Sequence, residues 1–111
     1  DVVLIPAGLM TDPAYAAQED WVGAAAIAMA AEHDLGPLAF GEGGHGYTYW
    51  RDRIVCDGIP ALFETASHAQ NLRDVGLGAD IGFCAMVDTV GSVPTAAAFD
   101  GVAVRVRDAP Q

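Results

Sequence analysis

The chain has no lysine. Its five basic residues are all arginine, set against fifteen acids, for a net charge of -10 over 111 residues. Such a surface repels phosphate backbones, which excludes nucleic acid as a partner, and it is equally wrong for an anionic membrane surface. Strong negative charge confers solubility or complements a basic partner. Cysteine is scarce: Cys56 and Cys84 are the only two, and no C-x-x-C occurs, which excludes zinc ribbons and thioredoxin-type redox chemistry. No apolar run approaches the roughly 20 residues that span a bilayer; Glu19, Asp20, Glu32 and Asp34 bracket the longest one. No basic segment leads into an apolar one as in a signal peptide. The opening Asp1-Val2-Val3-Leu4-Ile5-Pro6 reads as a strand without a lead-in, so a processed chain or an omitted upstream arm is expected.

What is present is alanine and other small apolar residues. Hydrophobic residues make up 52% of the chain and the mean hydropathy is +0.28, high for a free-standing domain of this size. The expectation is one domain over residues 1–111, small enough that assembly would help to stabilise it.

Residues 1–5 are β-branched and apolar, and a strand is expected there. Thr11-Asp12-Pro13 has the form of a helix start, and the alanine-rich stretch 14–32 has strong helix propensity, with Gly36-Pro37 as its stop. A strand reading competes, because Trp21, Ala25, Ile27 and Met29 fall on odd positions and Gly23 weakens a helix interior; a short helix over 13–20 is the compromise. "PLAF" and "YTYWRDRIV" read as strands, residues 61–75 as a helix stopped by Gly76 and Gly78, and "ADIGFCAMVDTV" and "GVAVRVR" as further strands. Val102, Val104 and Val106 share one face of the last. The order is βαββαβ-like with a C-terminal strand: an α+β domain, ferredoxin-like, whose mixed or antiparallel sheet includes residues 1–5, 47–55, 79–87 and 102–106.

Gly41, Gly43 and Gly46 fit G-x-G-x-x-G. A dinucleotide site needs those glycines to open a helix whose N-terminus faces the pyrophosphate. Here the strand formers Tyr47, Thr48, Tyr49 and Trp50 follow, and Glu42 puts a carboxylate where phosphate would sit. The expectation is a hairpin turn and no bound cofactor.

Cys56 and Cys84 each fall in an apolar strand reading, where a buried thiol is the ordinary outcome. A disulfide requires the two strands to be neighbours, and a catalytic thiol is the third alternative. His33, His45 and His68 have no metal-ligand spacing, so no metal site is expected. The enzyme reading rests on a pair assembled in space, His45 with Cys56 or Ser67, in an intersubunit cleft. Arg51 with Arg53, and Arg105 with Arg107, are spaced i, i+2, which in strands puts each pair on one sheet face. They either pair locally with acids or form combs that fork onto a neighbouring subunit's carboxylates. Tyr47, Tyr49 and Trp50 are half core, with Tyr47 and Tyr49 offered as an exposed contact patch.

In the order of its pieces the chain resembles the capsid decoration, or head-stabilisation, proteins of tailed bacteriophages. The segments that carry the resemblance are "DVVLIPAGLMTDP", "WVGAAAIAMAAEHDLGPLAF", "ADIGFCAMVDTVG" and "AFDGVAVRV". The resemblance implies a mostly-β alternative fold, a virion-surface location in place of the cytoplasm, and a non-enzymatic structural role as a homo-oligomer, often a trimer, bound to other protein subunits. Residues 61–75 are more helical than that pattern, and no catalytic residue transfers from it.

Overall fold

A computed structural model describes residues 2–7, 17–42, 44–99, 101 and 104–108. In chain order they form α1 (Gln18–Leu35), α2 (Gly44–Asp57), α3 (Ile59–Glu64), α4 (Ser67–Asp74) and α5 (Gly78–Cys84), then β1 (Pro94–Phe99) and β2 (Val104–Asp108). The expected α+β sheet is not formed. Among the described residues, 2–5 form no strand, 47–55 lie inside α2, 79–84 belong to α5, and of the expected sheet only the last strand is one.

α1 takes up the whole alanine run from residue 18 onward, so the helix reading prevails over the alternating one. Its buried positions are Val22, Ala25 and Ala28, each three residues from the next on one helix face. Glu19 and Asp20 stand in its first turn and His33 in its last, each favoured by the helix dipole. Gly36, at φ +83°, ends it and donates its N–H to the Glu32 carbonyl at 3.0 Å.

α2 overturns the propensity of its residues. Tyrosine, threonine, tryptophan, isoleucine and valine favour strands only weakly, and packing overrides that preference. Tyr47, Trp50 and Ile54 are spaced three and four apart: Tyr47 clusters with Ala25 and Ala28 of α1, and Trp50, Ile54 and Met29 pack against that cluster. Between α2 and α3 the chain turns at Gly58, φ +81°.

The single helix expected over 61–75 is two helices. α3 ends at Glu64 and Ala66 is extended at φ -61°, ψ 145°, before α4 begins. α4 ends in a Schellman motif: Gly76 donates to the Arg73 carbonyl at 3.1 Å and Leu77 to the Leu72 carbonyl at 2.8 Å, with Gly76 at φ +82°. Gly76 is thus the stop that the sequence indicated, while Gly78 begins α5.

The core is narrow. Its buried members among the described residues are Ala17, Val22, Ala25, Ala28, Tyr47, Leu62, Ala66, Ala69, Ile81 and Ala85, and of these only Leu62 and Val22 are both large and fully enclosed. α1 packs on α2 and α3, α3 also on α2 and α5, and α4 on α5.

β1 and β2 form an antiparallel hairpin with Gly101, φ +93°, in its turn. Neither strand packs substantially against a helix among the described residues. Ala97 is an extra residue in β1, so the register runs Pro94–Asp108, Thr95–Arg107 and Ala96–Val106, then Ala98–Arg105 and Phe99–Val104. Directly opposed residues share a sheet face. One face therefore holds Pro94, Ala96, Phe99 and positions 104, 106 and 108, and the other holds Thr95, Ala98 and positions 105 and 107. The bulge is what brings Phe99 onto the valine face.

Candidate functional site

The glycine-rich segment is not a hairpin. Gly44 is the first residue of α2, and its N–H meets the Gly41 carbonyl at 3.3 Å. Helical packing of Tyr47 and Trp50 is the physical reason. The resulting helix N-terminus still fails as a phosphate cradle, because residues 38–41 before it form no strand and Glu42 is exposed beside it. An open hollow of about 580 Å³ is lined there by Phe40, Gly41, Glu42, Gly44, His45 and Thr48.

Cys56, Arg51 and Arg53 do not line that hollow. His45 stands in the first turn of α2 and Cys56 near its other end, eleven residues on, which at the helical rise separates them by roughly 16 Å. They do not meet in one cavity within the chain. Ser67, the other named partner of His45, opens α4. Both cysteines are free and exposed, not buried as expected, because each stands on a helix surface in place of a strand interior.

Tyr47 is core, against the expectation of a contact patch, and is 8% exposed. Its ring stacks on Phe40 with centroids 4.3 Å apart, and its hydroxyl donates to the Glu32 carboxylate. The Arg51 guanidinium lies 5.8 Å from the ring centroid. Burial, then the Glu32 hydrogen bond and charge, push the Tyr47 hydroxyl up to about 12, with Arg51 opposing. Tyr49 is 54% exposed and remains available at the surface; Trp50 is half-buried, meeting Tyr49 edge-on at 4.9 Å.

Arg51 and Arg53 lie on a helix, where an i, i+2 spacing turns side chains about 200° apart, so they form no comb on one face. Arg51 pairs with Asp52 at 2.9 Å and Arg53 with Asp57 at 2.6 Å. Those hydrogen bonds, and then the acids' charges, raise both guanidinium pKa values. Arg73 pairs with Glu64. Positions 105 and 107 do lie in a strand, two apart, and Arg107 makes no ion pair among the described residues.

A second joint escaped the sequence reading. Gln18 Nε2 donates to the Leu62 carbonyl at 2.6 Å and to Thr65 Oγ1 at 3.2 Å, while Glu19 meets His68 Nδ1. Together these tie the start of α1 to the end of α3 and the start of α4. Burial and then the Glu19 charge raise the neighbouring Asp20 carboxyl, and His68 opposes. Contacts 44 to 49 residues apart leave no local pattern in a sequence.

Among the described residues no three His, Cys, Asp or Glu side chains are grouped to hold a metal ion, and no helix is long and apolar enough to cross a membrane. The most distinctive property is the surface itself. Val2, Val3, Ile5, Val55, Val75, Phe83, Val90 and Phe99 are all at least 65% exposed, among eighteen large apolar residues open to solvent within the described residues. No protein-family model, curated protein or solved structure matches the chain.

Proposed function

We propose that the chain is a non-enzymatic assembly protein that works as a symmetric homo-oligomer and binds other protein subunits, and that its most specific role is decoration of a virion shell. The observation that carries the assembly reading is the exposed apolar surface: among the described residues eighteen large apolar side chains stand open to solvent, Val55, Val75, Phe83 and Phe99 at 65% or more, and apolar surface of that kind marks sites of protein–protein association.

The shell-decoration role rests on the resemblance of the sequence segments and on the acidic, lysine-free composition. The helical architecture departs from the strand-rich pattern that the resemblance implied, so the fold adds no support to that finer role. Tyr49 and Arg107 remain exposed and suited to an interface; Tyr47 is taken up by the core, and Arg51 and Arg53 are engaged with Asp52 and Asp57. His45 and Cys56 stand near opposite ends of α2, so those two side chains do not pair within one chain.

Sedimentation equilibrium at micromolar concentration tests the reading, with a dimer or trimer expected and a stable monomer overturning it. Mixing the oligomer with native shells and measuring occupancy tests the decoration role. Absence of binding there would leave an assembly protein of another kind.

A further inference from the structure

The hairpin is two-faced, and its apolar face is uncovered. Phe99 and Val106 stand on that face at 69% and 57% exposure, with Ala96 opposite Val106 and Val104 opposite Phe99 in register, and the Pro94–Asp108 pair at its end carries the one charge of this face among the described residues. The other face carries Thr95, Ala98 and the positions of Arg105 and Arg107. An antiparallel sheet with one apolar and one polar face ordinarily packs the apolar side on a core. An isolated two-stranded hairpin is marginal in water without such a cover. The helices do not supply it among the described residues.

Resting on the assembly reading above, we infer that the Phe99/Val106 face of the hairpin packs against the same face of a second copy of this chain, two hairpins forming a small sandwich about a two-fold axis. Charge selects the occupant and the place. Copies of a chain with net charge -10 repel one another, yet residues 94–108 carry only Asp100, Arg105, Arg107 and Asp108, which sum to zero. Here two copies approach with the least repulsion. A self-complementary apolar patch is also what a two-fold interface requires. The paired sheets, about 10 Å apart, would turn both arginine-bearing faces outward, leaving Arg107 free for carboxylates of further subunits.

The test is Phe99→Asp, with Thr95→Asp on the opposite face as control, both followed by sedimentation across a concentration series. Phe99→Asp should weaken self-association at least about tenfold, because it buries an unpaired carboxylate, and Thr95→Asp should leave it near wild type. Phe99→Leu should retain it. Among the described residues the helices do not pack substantially on the hairpin, so helical circular dichroism should be unchanged in all three and serves as the folding check. A wild-type oligomer that Phe99→Asp leaves intact overturns this interface while the assembly reading stands. A wild-type monomer overturns both.

Discussion

The Tyr47 hydroxyl and the Glu32 carboxylate are hydrogen-bonded across the α1–α2 interface. They lie fifteen residues apart in a chain whose enclosed core is small, and this polar tie adds to the apolar contact of Ala25, Ala28 and Met29 with Tyr47, Trp50 and Ile54 at the same interface. Tyr47→Phe keeps the ring and its stack on Phe40 but removes the donor. The expected loss is about 1 kcal/mol, the net worth of one hydrogen bond, read as a lower urea midpoint at unchanged slope.

The same pair sets an alkaline limit. Folded Tyr47 holds its proton up to about 12, against 10.0 for the free side chain. Between those values the folded chain binds more protons than the unfolded one, so its stability falls as pH rises from about 10 to 12; below about 10 Tyr47 adds no pH dependence. Comparing urea midpoints of wild type and Tyr47→Phe across that window isolates the effect. The difference between the two proteins should shrink with rising pH, and a constant difference would contradict the assignment.

Leu62 is expected to be the most sensitive core position. It is 1% exposed and, among the described residues, shares full enclosure only with Val22 of the large side chains. Leu62→Ala should cost about 2–5 kcal/mol, a large part of the stability of a small domain. Loss of the cooperative thermal transition at 37 °C or below is the extreme form of the expected result, and a shift in melting temperature under about 2 °C would contradict it.

Gln18 tests the joint between α1 and α3. Its amide reaches the Leu62 carbonyl, one of the last carbonyls of α3, which has no helical N–H to accept. Gln18→Ala should cost about 1 kcal/mol and raise hydrogen exchange in residues 59–65 before it affects α2. Uniform change across all helices would place the effect elsewhere.

Some of this architecture was legible in the sequence. The alanine run to Gly36 and the stop at Gly76 follow from propensity and from backbone conformations that favour glycine. α2 was misread because Tyr47-Thr48-Tyr49-Trp50 argues for a strand by residue type. The three- and four-residue spacing of Tyr47, Trp50 and Ile54 carried the helical signal in the same stretch. The break at Thr65-Ala66 has no proline or glycine to announce it. Glu19 with His68 was beyond reach, since only the packing of α1 on α3 brings the start of α4 to it. The strand pair was half visible: 104–106 alternates, but Ala96, Ala97 and Ala98 carry no pattern of their own.

Two glycines on facing helices should respond to alanine with opposite sign. Gly23 lies inside α1, and a Cβ there would meet nothing within 4 Å. Gly23→Ala therefore gains helix propensity without a steric cost and should stabilise by about 0.5–1 kcal/mol. Gly46 sits in the first turns of α2, where a Cβ would come to 2.7 Å from Trp21 Cζ3 and 3.1 Å from Cη2. The indole is rigid and half-buried, so it cannot yield as the tip of a flexible chain would. Gly46→Ala should destabilise by about 1–3 kcal/mol through overpacking, despite the same propensity gain. The close approach of α2 to Trp21 is thus the reason a glycine stands at 46, independent of any phosphate. Trp21→Phe, which shortens the ring system, should recover part of the loss in the Gly46→Ala background. Thermal melts of the two alanine variants and the double mutant decide it: equal shifts in the same direction for Gly23→Ala and Gly46→Ala would refute the helix–helix approach.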